Sequence, residues 1–212
     1  MNTDHLIKAL TSDLTVSRSS IERRFAVILA PGVLLALFLF AITLGPRPDI
    51  VSASGDVRFI FKFVVTLLLA LFSAMLVWRL VRPAAPVRLQ VVVLAIVPVI
   101  LAAGVVAELL VLPRSLWSAN LIGSNGGLCL LSIPSFALPM LIAEFFALRQ
   151  GAPTRPVLTG IVAGILAGAI AAAIYAAHCP DDSPLFVAMW YSLGIAIVAA
   201  IGGAVGRVAL RW

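Results

Sequence analysis

LQVVVLAIVPVILAAGVVAELLVL, running from Leu89 to Leu112, is the stretch that decides the fold. As a helix it is long enough to cross a hydrocarbon core about 30 Å thick, and its one ionisable side chain is Glu108. Working outward, similar runs recur at Ala26 to Gly45, Phe63 to Trp78, Gly126 to Leu148, Val157 to Ala177 and Leu185 to Gly206. Lipid offers no partner for backbone amides, so each run is expected to be helical; a barrel would alternate instead of running continuously apolar. Hydrophobic residues make up 62% of the 212 and charged residues 11%, which excludes an ordinary soluble domain. The expected fold is all-α: a polytopic membrane protein whose residues 26–212 form a six-helix transmembrane bundle, preceded by a short cytoplasmic tail, residues 1–25, carrying an amphipathic helix.

Orientation follows from lysine and arginine. One side collects Lys8, Arg18, Arg23, Arg24, Arg79, Arg82, Arg88, Arg149, Arg155, Arg207 and Arg211, which is eleven; the other has Arg47, Arg58, Lys62 and Arg114, which is four. This asymmetry places both termini in the cytoplasm and explains the net charge of +6 as a topology signal. The arginines are scattered at span ends, with no basic stripe interleaved with aromatics, so direct nucleic-acid binding is not expected.

Residues 1–25 are polar and the first apolar run is long enough to span, so the N-terminus does not read as a cleavable signal peptide. Within it, Thr3 suits a helix cap and Asp4 the first turn, while Leu6, Ile7, Leu10 and Leu14 recur at helical spacing as one apolar stripe. A helix this short is marginal alone in water and needs a surface to fold against. That surface is either the bilayer or the underside of the bundle, or a groove on a cytoplasmic partner. Ser17, Arg18, Ser19 and Ser20 form a polar hinge before the membrane.

Prolines punctuate the chain where spans should end: Pro46 and Pro48, Pro83 and Pro86, Pro113, Pro153 and Pro156. Pro134 and Pro139 lie inside the fourth span, where a bend is expected. Gly160, Gly164 and Gly168, like Gly202 and Gly206, repeat every four residues and admit a close neighbouring helix, from this chain or another. Glu108 and Glu144, the acidic residues within spans, lie near span ends and read as solvated or paired with an arginine such as Arg114 or Arg149. No metalloprotease, hydrolase or phosphate-loop motif occurs, and neither an enzyme nor a cofactor is expected.

The two cysteines, Cys129 and Cys179, are fifty positions apart yet should end on the same outer face, with His178, Asp181 and Asp182 beside the second. On this topology that face is expected to lie in an oxidising compartment. Two thiols and an imidazole suit a thiophilic metal, two thiols at bonding distance suit a reversible disulfide, and two buried small residues suit plain packing.

Several segments then become recognisable: Arg149, Gly151, Ala152 and Pro153; the Gly160, Gly164 and Gly168 repeat; Tyr175, His178 and Cys179; Asp182 to Phe186; Trp190 and Tyr191; and Leu210 to Trp212. Together these closely resemble the NrsF family of bacterial inner-membrane anti-sigma factors. Thr3, Asp4, Leu6, Ile7, Leu10 and Asp13 look like that family's opening motif, from which the chain departs at Leu14, Thr15 and Val16, where members often carry a proline before the valine. The resemblance implies a protein that holds an extracytoplasmic-function sigma factor at the membrane and releases it on envelope stress. It makes Asp4, Leu6, Ile7, Leu10 and Leu14 candidates for sigma binding. It makes Cys129 and Cys179, with His178, candidates for sensing oxidants or heavy metals, the two cysteines being the candidate metal ligands. A small multi-span transporter or channel, or a membrane subunit without a sensing role, is the alternative.

Overall fold

The computed structural model describes Thr3, His5 and residues 18–82, 85–151 and 153–211, with side chains in the first long helix from Val27 onward. Among these residues there are no strands. Six long helices follow one another: α1 Arg18–Thr43, α2 Val57–Leu80, α3 Arg88–Val111, α4 Gly126–Leu148, α5 Pro156–Ala176 and α6 Pro184–Ala209. Short helical turns at Ile50–Ala53, Arg114–Leu116 and Trp117–Ile122 lie in the connections. The helices from α2 to α6 are long and apolar enough to cross a membrane, while the described apolar part of α1, Val27–Thr43, is shorter.

Two boundaries differ from expectation for a physical reason. The polar hinge is helical from Arg18 onward, because no glycine or proline between Arg18 and Ala26 stops the helix from extending upstream. The second span starts at Val57 instead of Phe63. Asp56 caps it, its carboxylate accepting the Arg58 amide at 2.9 Å, so that Arg58 and Lys62 become helical residues. Pro134 and Pro139 do not interrupt α4, and Pro31 and Pro98 are likewise carried inside helices.

α5 is the centre of the bundle, packed against α2, α4 and α6, while α1 lies on α4 and α3 lies on α2. Its composition permits this: Ala163, Ala167, Ala171 and Ala172 are fully buried, and its glycines let α6 approach to backbone contact. A Cβ on Gly160 would collide with the Gly202 carbonyl, and one on Gly164 would come within 2.6 Å of the Ala199 Cα. The two glycine repeats therefore meet each other within one chain. α6 opens with a π-turn, Val187–Tyr191, a local widening that often marks a functional position.

Candidate functional site

The α1–α2, α3–α4 and α5–α6 connections gather at one end of the bundle, and the last of these, His178–Ser183, is tied to all its neighbours. The Arg47 amide donates to the Ala177 carbonyl at 3.0 Å, and His178 Nδ1 lies 2.9 Å from the Gly45 carbonyl. A carbonyl only accepts, so Nδ1 carries the proton and Nε2 is left for other partners. Gly45 takes φ 65°, a left-handed turn that presents this carbonyl to the ring.

Cys179, next along, has its carbonyl gripped by Lys62 Nζ at 2.7 Å. Lys62 is fully buried, pairs with Asp182 at 2.5 Å, and lies over the Phe59 ring. Asp182 also takes Arg47 at 2.9 Å, and Arg47 takes Asp49 at 2.6 Å. Hydrogen bonding to Arg47 holds the Asp49 carboxyl below its ordinary range. Asp181 reaches the other way: it accepts the Asn125 amide at 2.9 Å and the Ser124 amide at 3.1 Å, so a carboxylate from another loop caps the start of α4. Ser183 donates to Glu108 at 2.8 Å, and Glu108 accepts the Leu185 amide at 3.1 Å and pairs with Arg58 at 3.4 Å.

Beneath this pinned loop lie the two cysteines, both free and both fully buried. They belong to one core cluster. Tyr175 and Tyr191 flank Cys179, with ring centroids 5.9 Å apart and both side chains buried. Burial pushes the Cys179 thiol above its ordinary range, which keeps it protonated and slow as a nucleophile at neutral pH. Among the described residues no group of three or more His, Cys, Asp or Glu side chains gathers closely enough to hold a metal ion. The site thus combines two buried thiols with a charged cap that fixes the backbone of one of them.

The structure brings Cys129, Cys179 and His178 to one end of the bundle, whereas Asp4, Leu6, Ile7, Leu10 and Leu14 lie outside the described residues. The two carboxylates within the long apolar helices part company with the sequence reading. Glu108 is paired, but with Arg58 and not Arg114; Glu144 is fully buried in α4 with both oxygens unpartnered among the described residues, neither solvated nor paired. Arg47, Lys62, Tyr175 and Tyr191 were not singled out from the sequence as parts of a site. Lys62 had a signal: a lone lysine between Phe61 and Phe63 sits in an apolar setting that demands a buried partner.

A family model described as NrsF, negative regulator of sigma F, matches residues 10–212. The anti-sigma-F factor NrsF of Caulobacter vibrioides is 36% identical over the full length of both chains. The probable anti-sigma-F factor NrsF of Azospira oryzae is 34% identical, again over the full length of both. No solved structure matches the chain.

Proposed function

The chain belongs to the NrsF family, and from that premise we propose that it is a membrane-bound anti-sigma factor. It sequesters an extracytoplasmic-function sigma factor at the bacterial inner membrane and releases it on envelope stress, oxidant or heavy metal, sensed through Cys129 and Cys179. All six long helices span, α1 completing the set. Both termini and the tail of residues 1–25 are cytoplasmic, as the eleven-to-four distribution of basic residues favours. The tail stripe of Leu6, Ile7, Leu10 and Leu14, with Asp4, supplies the sigma-factor contact.

The observation that carries the sensing reading is Lys62 holding the Cys179 carbonyl and Asp182 together. Forming a Cys129–Cys179 disulfide removes two thiol protons and passes two electrons to the oxidant; a soft metal ion displaces the same protons and bridges the sulfurs. Either event moves Cys179, and Lys62 hands that movement to α2, whose far end reaches the first cytoplasmic turn. A signal of this kind works only by bonding better in one of two bundle states than in the other.

The test is epistasis in a sigma-dependent reporter strain. Cys129→Ser, Cys179→Ser and the double variant should lose induction equally, because either change already removes the shared bond or bridge. His178→Ala should be milder under oxidant than under cadmium if the imidazole acts only as a metal ligand. Full induction in the double variant would reduce the cysteines to packing residues. The transporter reading draws on Glu144, whose buried carboxylate, unpartnered among the described residues, suits an ion path; it predicts solute flux in vesicles that Glu144→Gln abolishes.

A further inference from the structure

At the end of the bundle away from the thiols, α2 finishes, α3 begins and the turn before α5 passes beside them. Arg79, Arg82, Arg88 and Arg155 line one pocket of about 520 Å³ there. Its remaining described lining includes Thr154 and Val91 and no carboxylate; Arg82 also lies over the Trp78 ring at 5.4 Å. The described carboxylates that form ion pairs, Asp49, Glu108 and Asp182, are all at the opposite end.

Val91 also lines a second space of about 530 Å³, whose walls are almost wholly apolar: Leu94, Pro98 and Leu101 of α3 face Ile195 and Ala199 of α6. The packing explains it. α3 lies along α2 and meets α6 chiefly at Pro184–Tyr191, so the two helices part beyond that point and leave a groove. From Val91 to Leu101 the groove follows about 15 Å of helix, half of a hydrocarbon core about 30 Å thick and thus the depth of one leaflet.

We propose that the two neighbouring spaces, which share Val91, bind one anionic phospholipid, Arg79, Arg88 and Arg155 taking its headgroup phosphate and the groove taking an acyl chain. The inference rests on the membrane reading of the chain and not on sigma-factor binding. Guanidinium forks match phosphate geometry, and basic pockets between helices at the cytoplasmic surface suit anionic headgroups. A soluble anion would satisfy the arginines but leaves the adjoining groove unexplained, and so does an acidic protein segment. A lipid has both parts in one molecule.

Native mass spectrometry of the full chain in neutral detergent, offered equal phosphatidylglycerol and phosphatidylcholine, tests this. The wild type should retain phosphatidylglycerol preferentially. Arg88→Gln with Arg155→Gln should cut that preference by roughly fivefold per arginine, the effect of one basic side chain at an anionic surface. Ala95→Phe and Ala196→Phe, separate variants at exposed positions lining the groove, place a ring in it without entering the core. Whichever of them stays monodisperse should lose retention with every arginine in place. Equal retention of the two lipids by the wild type would overturn the proposal, as would wild-type retention in the glutamine variant. Retention unchanged by the phenylalanines, or abolished by equimolar inorganic phosphate, would reduce the pocket to a free-anion site and equally overturn it.

Discussion

Lys62 donates to the Cys179 carbonyl at 2.7 Å and pairs with Asp182 at 2.5 Å from a fully buried position. Removing one partner of a buried pair leaves the other charge uncompensated, at a typical cost of about 3–5 kcal/mol. Asp182 keeps Arg47, so Lys62→Met should cost about 3 kcal/mol, the low end of that range, in detergent melts. Adding Asp182→Asn should cost less than the sum of the single changes, since both remove one interaction. An unchanged melting temperature in Lys62→Met would mean that the cap is not held through this side chain. At this scale the sequence was least readable. Charge counting assigns Lys62 and Arg47 to a solvated surface, because a count carries no information on which loop folds over which charge. Glu144 failed for the same reason: nothing in its local sequence says that α4 buries that face. The thiols fared better, since span alternation alone brings Cys129 and Cys179 to one end.

Among the elements, α5 and α6 depend on absent side chains. A Cβ at Gly160 would strike the Gly202 carbonyl, whereas one at Gly127 would meet nothing within 4 Å. Gly160→Val should therefore destabilise by more than the usual overpacking cost of about 1–3 kcal/mol, because backbone and not a flexible side chain must move. Gly127→Ala, by contrast, should be neutral or stabilise by up to about 1 kcal/mol. Thermal aggregation of the two purified variants distinguishes them, and equal behaviour would contradict the close α5–α6 contact. The four-residue spacing was visible in the sequence as two close-packing faces; that they meet each other needed the fold. Helix ends were misread wherever hydropathy and helicity part: Arg18 and Arg58 are helical yet charged, so apolar runs end before the helices do.

For the whole molecule, unbroken apolar runs were enough to give an all-helical chain, because lipid leaves backbone amides no other option. Which helix is central was not readable, since α3 is as apolar as α5 yet lies at the edge. Reporter fusions after Arg24 and after Trp212 should both read cytoplasmic, and a fusion at Asp182 should read periplasmic; a cytoplasmic reading at Asp182 would remove the thiols from the envelope side. On the proposed function, this chain holds a sigma factor and lets go when its thiols react. The most direct measurement is co-purification of the sigma factor with the full chain from membranes, before and after oxidant or cadmium. The wild type should retain it at rest and lose it after stress, Cys129→Ser with Cys179→Ser should retain it in both conditions, and Leu6→Asp with Leu10→Asp should retain it in neither. A double-cysteine variant that releases the sigma factor like the wild type, or a wild type that holds none at rest, would contradict the account.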